Sequence, residues 1–121
     1  MLKPGSPEMV AAIIEAGREA GYNDAGLELL AKSRDLHVLI ETFSNGRSGV
    51  QEPGSSIAGV GGLTEEFYEA VMGEEWTPQR GLKWELQALI TYIAELYGGD
   101  PMEALQDFAL TGSWGGTATL G

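Results

Sequence analysis

The sequence predicts an all-α fold, a small helical domain of about five helices with one long glycine-rich loop. Apolar residues recur at three- and four-residue spacing over most of the chain, as they do on one face of an α-helix. Several of these stretches open with a capping residue followed by proline and close on glycine, the usual signals of helix starts and ends. No segment alternates polar and apolar residues convincingly, as a half-buried strand would.

The first predicted helix begins at Ser6, with Pro7 at the first helical position, where the missing N–H has no cost. Its apolar stripe continues onto Gly17, where the absence of a side chain would let another helix approach closely. Gly21 is predicted to end the helix.

The second predicted helix starts at Asn23 or Asp24 and runs without a break to Phe43. It is apolar over a wide face, so we expect it near the centre of the core. His37 lies among its leucines, and we expect it to be either at the surface or buried with its hydrogen bonds satisfied.

Three further helices are predicted after the loop, beginning at Thr64, Thr77 and Asp100. Proline directly follows the second and third of these caps, which strengthens both starts. Glycines close the third and fourth helices of the chain.

Residues 39–63 form a long segment between helices, rich in glycine and polar residues. Loops of more than about 12–15 residues are uncommon in compact domains and are usually functional or disordered. Gly59, Gly61 and Gly62 permit positive φ or a close approach of the backbone to a ligand. No lysine followed by serine or threonine comes after them, so this is not a phosphate-binding loop. The activity of the protein is therefore predicted here.

The chain length and the amino-acid composition limit the kinds of protein this can be. A chain of 121 residues fits a single domain, residues 1–121, with a flexible arm at 1–6 and a flexible tail at 113–121. The absence of cysteine excludes disulfides, thiolate metal sites and cysteine catalysis, and a single histidine excludes a multi-histidine metal site. Neither a metal nor another cofactor is expected.

The net charge of −11 disfavours nucleic acids as partners, because phosphate contacts need a basic surface. Anionic membranes and anionic wall polymers would also repel the chain at long range. No apolar run approaches the roughly 20 residues of a membrane span. The N-terminal sequence MLKPGSPEMV contains no visible signal peptide, so the sequence does not indicate a location.

Three residues in the chain could serve carbohydrate chemistry. Glu41 is the one carboxylate in the apolar end of the second predicted helix, and in an apolar pocket it could transfer a proton. Its ordinary interpretation is a solvent-facing glutamate near a helix end. Trp76 and Trp84 could stack on sugar rings, although tryptophan in a small helical domain is more often a half-buried anchor.

Five segments stand in the order and approximate spacing of the motifs of one family. They are residues 39–40, the loop residues Pro53, Ser55 and Ser56, and residues 59–64, 88–93 and 97–105. In that family the corresponding motifs read L-I-x-x-E-S-G-x-N-P, P-x-S-S/G, G-L-x-Q-L, A-L-x-Y-I and Y-G-x-P-x-x-A-L. The chain resembles the lysozyme-like domain of soluble lytic transglycosylases, which occurs alone and in phage tail and virion proteins.

The resemblance implies a peptidoglycan-cleaving fold in which one glutamate protonates the glycosidic oxygen and then acts as base. Two positions depart from this pattern: Phe43 stands where the glutamate is expected, and Gly62 stands where a glutamine is expected. Glu41 is the remaining candidate acid, two residues early. The residues that the resemblance places at the glycan are Tyr92, Phe43, Ser55, Gly59, Gly61 and Gly62.

Three functions remain open at this point. The preferred hypothesis is a lysozyme-like domain that has lost its catalytic acid and acts as a structural or glycan-contacting module of a phage-type particle or secretion apparatus. Its partner would be a peptidoglycan strand or another protein of such an assembly. The second hypothesis is an active transglycosylase or muramidase that uses Glu41, with Glu52 as a remote second carboxylate. The third is an unrelated small helical module that binds another protein.

Overall fold

The computed structural model describes residues 2–22 and 25–111, and over these residues the chain is predominantly helical. The all-α prediction is therefore confirmed at the level of fold class. The helices are α1 (Pro7–Glu19), α2 (Ala25–Lys32), α3 (Arg34–Phe43), α4 (Glu65–Met72), α5 (Leu82–Leu96) and α6 (Pro101–Thr111). Two short antiparallel strands, β1 (Ile57–Ala58) and β2 (Leu63–Thr64), lie in the loop before α4 and correct the prediction that the chain has no strand.

Helix α5 lies at the centre of the molecule and packs against α1, α4 and α6. Most of its surface is apolar, as expected of a helix that is covered on several sides. The predicted second helix also contributes to the core, as expected. Its fully or almost fully buried apolar side chains are Leu27, Leu30, Ala31, Leu36, Leu39 and Ile40.

The segment predicted as one continuous second helix is two helices, which is a correction. The break falls at Ser33, whose backbone is extended (φ −64°, ψ 123°). Ser33 is the N-cap residue of α3 but its side chain makes no capping hydrogen bond, and Asp35 in the first turn of α3 complements the positive end of the new helix. The predicted caps Asn23 and Asp24 lie outside the described residues.

The fourth predicted helix begins later than expected. Thr77 opens a turn, closed by a hydrogen bond from the Arg80 amide to the Thr77 carbonyl (3.2 Å), and α5 starts only at Leu82. The physical reason is Gly81, whose φ of 92° cannot be part of a right-handed helix. The predicted end of the helix before it is confirmed, because Gly73 closes α4 in the left-handed conformation.

Gly17 allows the close helix approach that the sequence predicts. A β carbon at this position would lie 2.9 Å from Cδ2 of Leu27 and would collide with its other methyl group. Helices α1 and α2 therefore pack together through the bare backbone of Gly17.

His37 is a buried histidine with both ring nitrogens in hydrogen bonds, which confirms one of the two ordinary interpretations. Only 7% of the residue is exposed. The Gly5 amide donates to Nδ1 (2.8 Å), so Nδ1 is the acceptor and Nε2 carries the proton that it donates to the Ala31 carbonyl (2.7 Å). The ring thus links the segment before α1 to the end of α2.

Replacing His37 with phenylalanine is expected to lower the free energy of unfolding by about 1–3 kcal/mol, because the Gly5 amide and the Ala31 carbonyl lose their partner. Urea denaturation followed by circular dichroism measures this. Val38→Ala, at an exposed position of the same helix, is the control and is expected to change stability by less than about 0.5 kcal/mol. Equal urea midpoints for His37→Phe and the wild type would contradict the prediction.

Candidate functional site

A groove of about 590 Å³ lies between the end of α3 and the long loop that follows it. One wall is the end of α3 and the turn after it, and the other wall is the loop. The lining residues are Glu41, Thr42, Phe43, Ser44, Asn45 and Arg47 on the helix side, and Val50, Gln51, Glu52, Ser55, Ile57, Ala58 and Gly59 on the loop side. The segment that the sequence singles out therefore forms a concave surface of the size that ligand sites have.

The end of α3 is tied to the loop by Ser44, which is 8% exposed. Its hydroxyl lies 2.8 Å from the Val60 carbonyl and 2.9 Å from the Ile40 carbonyl, and it accepts a hydrogen bond from the Gly46 amide (3.1 Å). Asn45 adopts a positive φ of 52°, which asparagine tolerates better than most residues, and turns the chain out of the helix. These bonds fix the distance between the two walls at their base.

Phe43 and Gly62 fit each other. Gly62 has a φ of 67°, and a β carbon at this position would lie 2.6 Å from Cδ2 of the Phe43 ring. The half-buried ring therefore rests on the bare backbone of Gly62, where a glutamine side chain would have no room. The two positions at which the sequence differs from the motifs it resembles are therefore in direct contact.

Glu41 and Glu52 both line the groove, and both are exposed. Glu41 also borders a second depression, formed with the N-terminal segment and α1 around Pro4 and Val10. A carboxyl group that serves as a proton donor is normally surrounded by apolar atoms. The Glu41 side chain lies in solvent on the rim between two depressions and lacks such surroundings.

Ser55 and Gly59, two of the residues expected at the glycan, line the groove on its loop side. The Ser55 hydroxyl accepts a hydrogen bond from the Ile57 amide (3.1 Å), which shapes the tip of the loop. Gly59 has a φ of 74° and no space for a side chain. Together with Glu41 and Phe43, these are the predicted site residues that the structure brings to the groove.

Gly61 and Tyr92 lie elsewhere. A β carbon on Gly61 would lie 2.6 Å from the methyl groups of Leu89, so Gly61 packs against α5. The Tyr92 ring stacks on Phe67, with centroids 4.8 Å apart, and Tyr92 is not among the residues that line the groove. Burial raises the pKa of Tyr92, so its phenol is neutral near pH 7.

The two described tryptophans are anchors. Trp76 is only 3% exposed. Trp84 stacks on Tyr68 (5.5 Å between centroids) and is covered by the guanidinium of Arg80, 5.0 Å from its ring centre. Neither tryptophan lines the groove, so the ordinary interpretation of both residues is the one that the structure supports.

Glu85 was not predicted from the sequence as a site residue. It lies in α5, is fully buried, and accepts three hydrogen bonds. Oε1 accepts from the Val60 amide (2.8 Å), and Oε2 accepts from the Gly49 amide (2.9 Å) and from Nε1 of Trp76 (3.1 Å). Burial raises the pKa of Glu85, although the three hydrogen bonds act in the opposite direction.

A sequence signal for Glu85 does exist. The residue stands three positions after Leu82 and four before Leu89, which places it on an apolar stripe of the helix. An acidic residue at such a position is buried only when it has partners, and both amides come from the distant loop. The position could have been recognised as unusual, but the partners could not have been named.

Tyr68 completes the buried polar cluster around Glu85. Its hydroxyl donates to the Ala58 carbonyl (2.9 Å), and its ring stacks on Trp76 with centroids 6.2 Å apart. Burial, reinforced by the nearby Glu85, raises the pKa of Tyr68 far above its usual value, so the phenol keeps its proton. The hydroxyl therefore remains available as a donor to the loop backbone.

The described residues contain neither a metal-binding cluster nor a membrane-spanning helix. Residues 2–22 and 25–111 contain no group of three or more histidine, cysteine, aspartate or glutamate side chains placed to hold a metal ion. Within the same residues, no helix has both the length and the apolar character needed to cross a membrane.

The geometry defines a small all-α domain with a groove beside a braced loop. No protein-family model, no curated protein and no solved structure matches this chain. A functional conclusion therefore depends on the groove itself and on the resemblance of the sequence motifs.

Proposed function

We propose that this protein is a lysozyme-like domain that binds a glycan strand of peptidoglycan in the groove between α3 and the loop, and that it does not cleave the strand. The proposed setting is a phage-type particle or a secretion apparatus, where such a module would contact the wall or a neighbouring protein. The observation that supports this most directly is the pairing of Phe43 with Gly62 at the two positions where the family pattern has its acid and its glutamine.

The chemistry of the groove suits the binding of a sugar better than a reaction on it. Phe43 offers an apolar ring, and Thr42, Asn45 and Gln51 are polar groups of the kind that bind hydroxyl and N-acetyl groups. A phenylalanine ring can neither donate a proton to a glycosidic oxygen nor accept one. Binding without cleavage is what these side chains can accomplish.

Arg47 gives the groove one local positive charge in a protein with a net charge of −11. Its side chain is exposed and, among the described residues, is in no salt bridge. A guanidinium pairs well with a carboxylate, and the N-acetylmuramic acid units of a peptide-free glycan strand carry one. Arg47 therefore offsets part of the long-range repulsion between an acidic protein and an anionic glycan.

The test is a titration of the ¹⁵N-labelled protein with soluble peptidoglycan fragments of alternating N-acetylglucosamine and N-acetylmuramic acid. Amide signals of the groove residues Asn45, Ser55 and Gly59 are expected to shift with saturation. Mass spectrometry of the incubated fragments is expected to show no anhydromuropeptide and no shortened glycan. Absence of shifts at millimolar glycan, or shifts confined to another face, would overturn the proposal.

Replacing Arg47 with alanine is expected to weaken binding of these fragments by about two- to fivefold, the effect of one exposed ion pair. Arg18→Ala is the matched control, since Arg18 is an exposed arginine on α1 that pairs with Glu28 (3.5 Å) away from the groove. Chitotetraose, which has no carboxylate, should bind the wild type and the Arg47→Ala variant equally. Equal loss with both arginine variants would remove Arg47 from the site.

An active enzyme that uses Glu41 is the second candidate, because Glu41 and Glu52 line the same groove. Hydrolysis usually requires two carboxylates, whereas a transglycosylase can operate with one acid. Release of anhydromuropeptides by the wild type and its loss in Glu41→Gln would establish this alternative in place of the proposal. The third hypothesis is an unrelated small helical module that binds another protein. A shallow bundle without a groove beside the loop would favour it, so the presence of the groove weighs against it.

A further inference from the structure

The loop wall of the groove is held at both of its ends by the same side chain. The loop residues that line the groove all lie within residues 50–59. The residues immediately outside that range, Gly49 and Val60, donate their amides to the two oxygens of Glu85. Glu85 itself does not line the groove, because it is fully buried behind the wall.

We propose that Glu85 is the positioning residue of the groove: its carboxyl group clamps both ends of the wall at residues 50–59 and so sets the shape that a ligand meets. The inference rests on the proposed function for the nature of the ligand, and on the hydrogen bonds alone for the clamp. Other bonds shape the wall between its ends, including one from the Gly59 amide to the Val50 carbonyl (2.8 Å).

The clamp requires the two oxygens of a carboxyl group rather than any polar side chain of that size. Both oxygens of Glu85 accept hydrogen bonds, and all three partners are N–H donors. A glutamine at this position has the same shape but only one oxygen, and its NH₂ group must face a donor. If the NH₂ faces Val60, one end of the wall is released. If it faces Gly49, the other end and the Trp76 indole are released.

The clamp also joins the wall to the helix side of the groove. Val60 donates its amide to Glu85 and accepts at its carbonyl from the Ser44 hydroxyl (2.8 Å) at the end of α3. A continuous chain of hydrogen bonds thus runs from α3 through the loop to α5. Loss of the Glu85 contact therefore changes the position of one wall relative to the other.

The experiment compares amide hydrogen exchange in the wild type and in Glu85→Gln. In the wild type, the amides of Gly49 and Val60 are expected to be protected even though they lie in a loop. In Glu85→Gln, exchange of at least one of them is expected to rise by about tenfold or more, as for the loss of one buried hydrogen bond. The exchange of Ile13, in the core of α1, should change much less.

Glycan affinity supplies a second readout. Glu85→Gln is expected to weaken binding of the peptidoglycan fragments by about tenfold, although residue 85 cannot touch the ligand. Glu95→Gln, the same substitution at an exposed position of α5, is the matched control and should change neither exchange nor affinity. Trp76→Phe removes one donor and leaves both backbone bonds, so Gly49 and Val60 should stay protected.

The outcomes separate the clamp from the proposed function. If the wild type binds no glycan but the amides of Gly49 or Val60 lose their protection in Glu85→Gln, the clamp is supported and the proposed ligand is rejected. A wild type that binds glycan with the same affinity as Glu85→Gln overturns the positioning role. If Glu85→Gln does not fold, the wild type still decides the question, because rapid exchange of Gly49 and Val60 in the folded protein would rule out the clamp.

Discussion

Replacing Gly59 with alanine is expected to lower the free energy of unfolding by about 2–5 kcal/mol. The backbone at Gly59 has a φ of 74°, a region that costs an L-residue about 1–2 kcal/mol. In addition, a β carbon would collide with the Tyr68 hydroxyl and would lie 2.9 Å from Oε1 of Glu85. Both side chains are fully buried and hydrogen-bonded, so neither can move aside without losing a partner.

Gly54→Ala is a close control for this prediction. Gly54 lies in the same loop with a φ of 79°, and a β carbon there would meet no atom within 4 Å. It therefore carries the backbone cost without the collision, and a loss of only about 1–2 kcal/mol is expected. Urea denaturation at neutral pH measures both variants. If the two alanine variants lose the same stability, the side chains of Tyr68 and Glu85 have moved to make room for the new methyl group. The cluster around Glu85 would then be less rigid than the geometry indicates.

The free energy of unfolding is expected to fall as the pH rises from about 4.5, because of Glu85. Burial raises the pKa of Glu85 in the folded protein above its usual value of 4.5. Between that value and the raised pKa, the folded state holds the proton and the unfolded state has released it. The folded state binds more protons in this window, so stability is full below pH 4.5 and is lost as the pH passes the folded pKa, with a limiting slope of about 1.4 kcal/mol per pH unit.

The measurement is the difference in unfolding free energy between the wild type and Glu85→Gln, followed from acid to neutral pH. The subtraction removes the titration of the exposed carboxylates, which both proteins share. Tyr68 is the titratable group that faces Glu85, and its raised pKa keeps it neutral throughout the range. The wild type should lose stability relative to the variant as the pH rises. A difference that stays flat, or that grows in the opposite direction, would show that the three N–H donors outweigh burial.

Local sequence signals predicted many of the elements correctly. Ser6 caps α1 by accepting from the Met9 amide (3.1 Å), and Thr64 caps α4 by accepting from the Phe67 amide (3.2 Å). Both are bonds between residues three positions apart, so the amino-acid types alone determine them. The same kind of signal was wrong at Thr77, where the cap and the following proline open a turn because Gly81 interrupts the helix.

The sequence also indicated which segment lines the groove, but not how the groove is built. It marked residues 39–63 through length and glycine content, and Glu41, Phe43, Ser55 and Gly59 of the predicted residues line the groove. It placed Tyr92 at the site as well, whereas the structure stacks that ring on Phe67. Whether a ring on a helix faces a groove or a neighbouring helix depends on packing, which helical spacing does not specify.

By itself, then, the sequence determined the helical class, the main capping positions and the loop that lines the groove, because these depend on residues close together in the chain. Only the tertiary structure decided what holds that loop. Glu85 lies 36 residues from Gly49 and 25 from Val60, and no local rule connects them. A buried carboxylate must find donors wherever the fold brings them, and here packing of the loop against α5 supplies the donors.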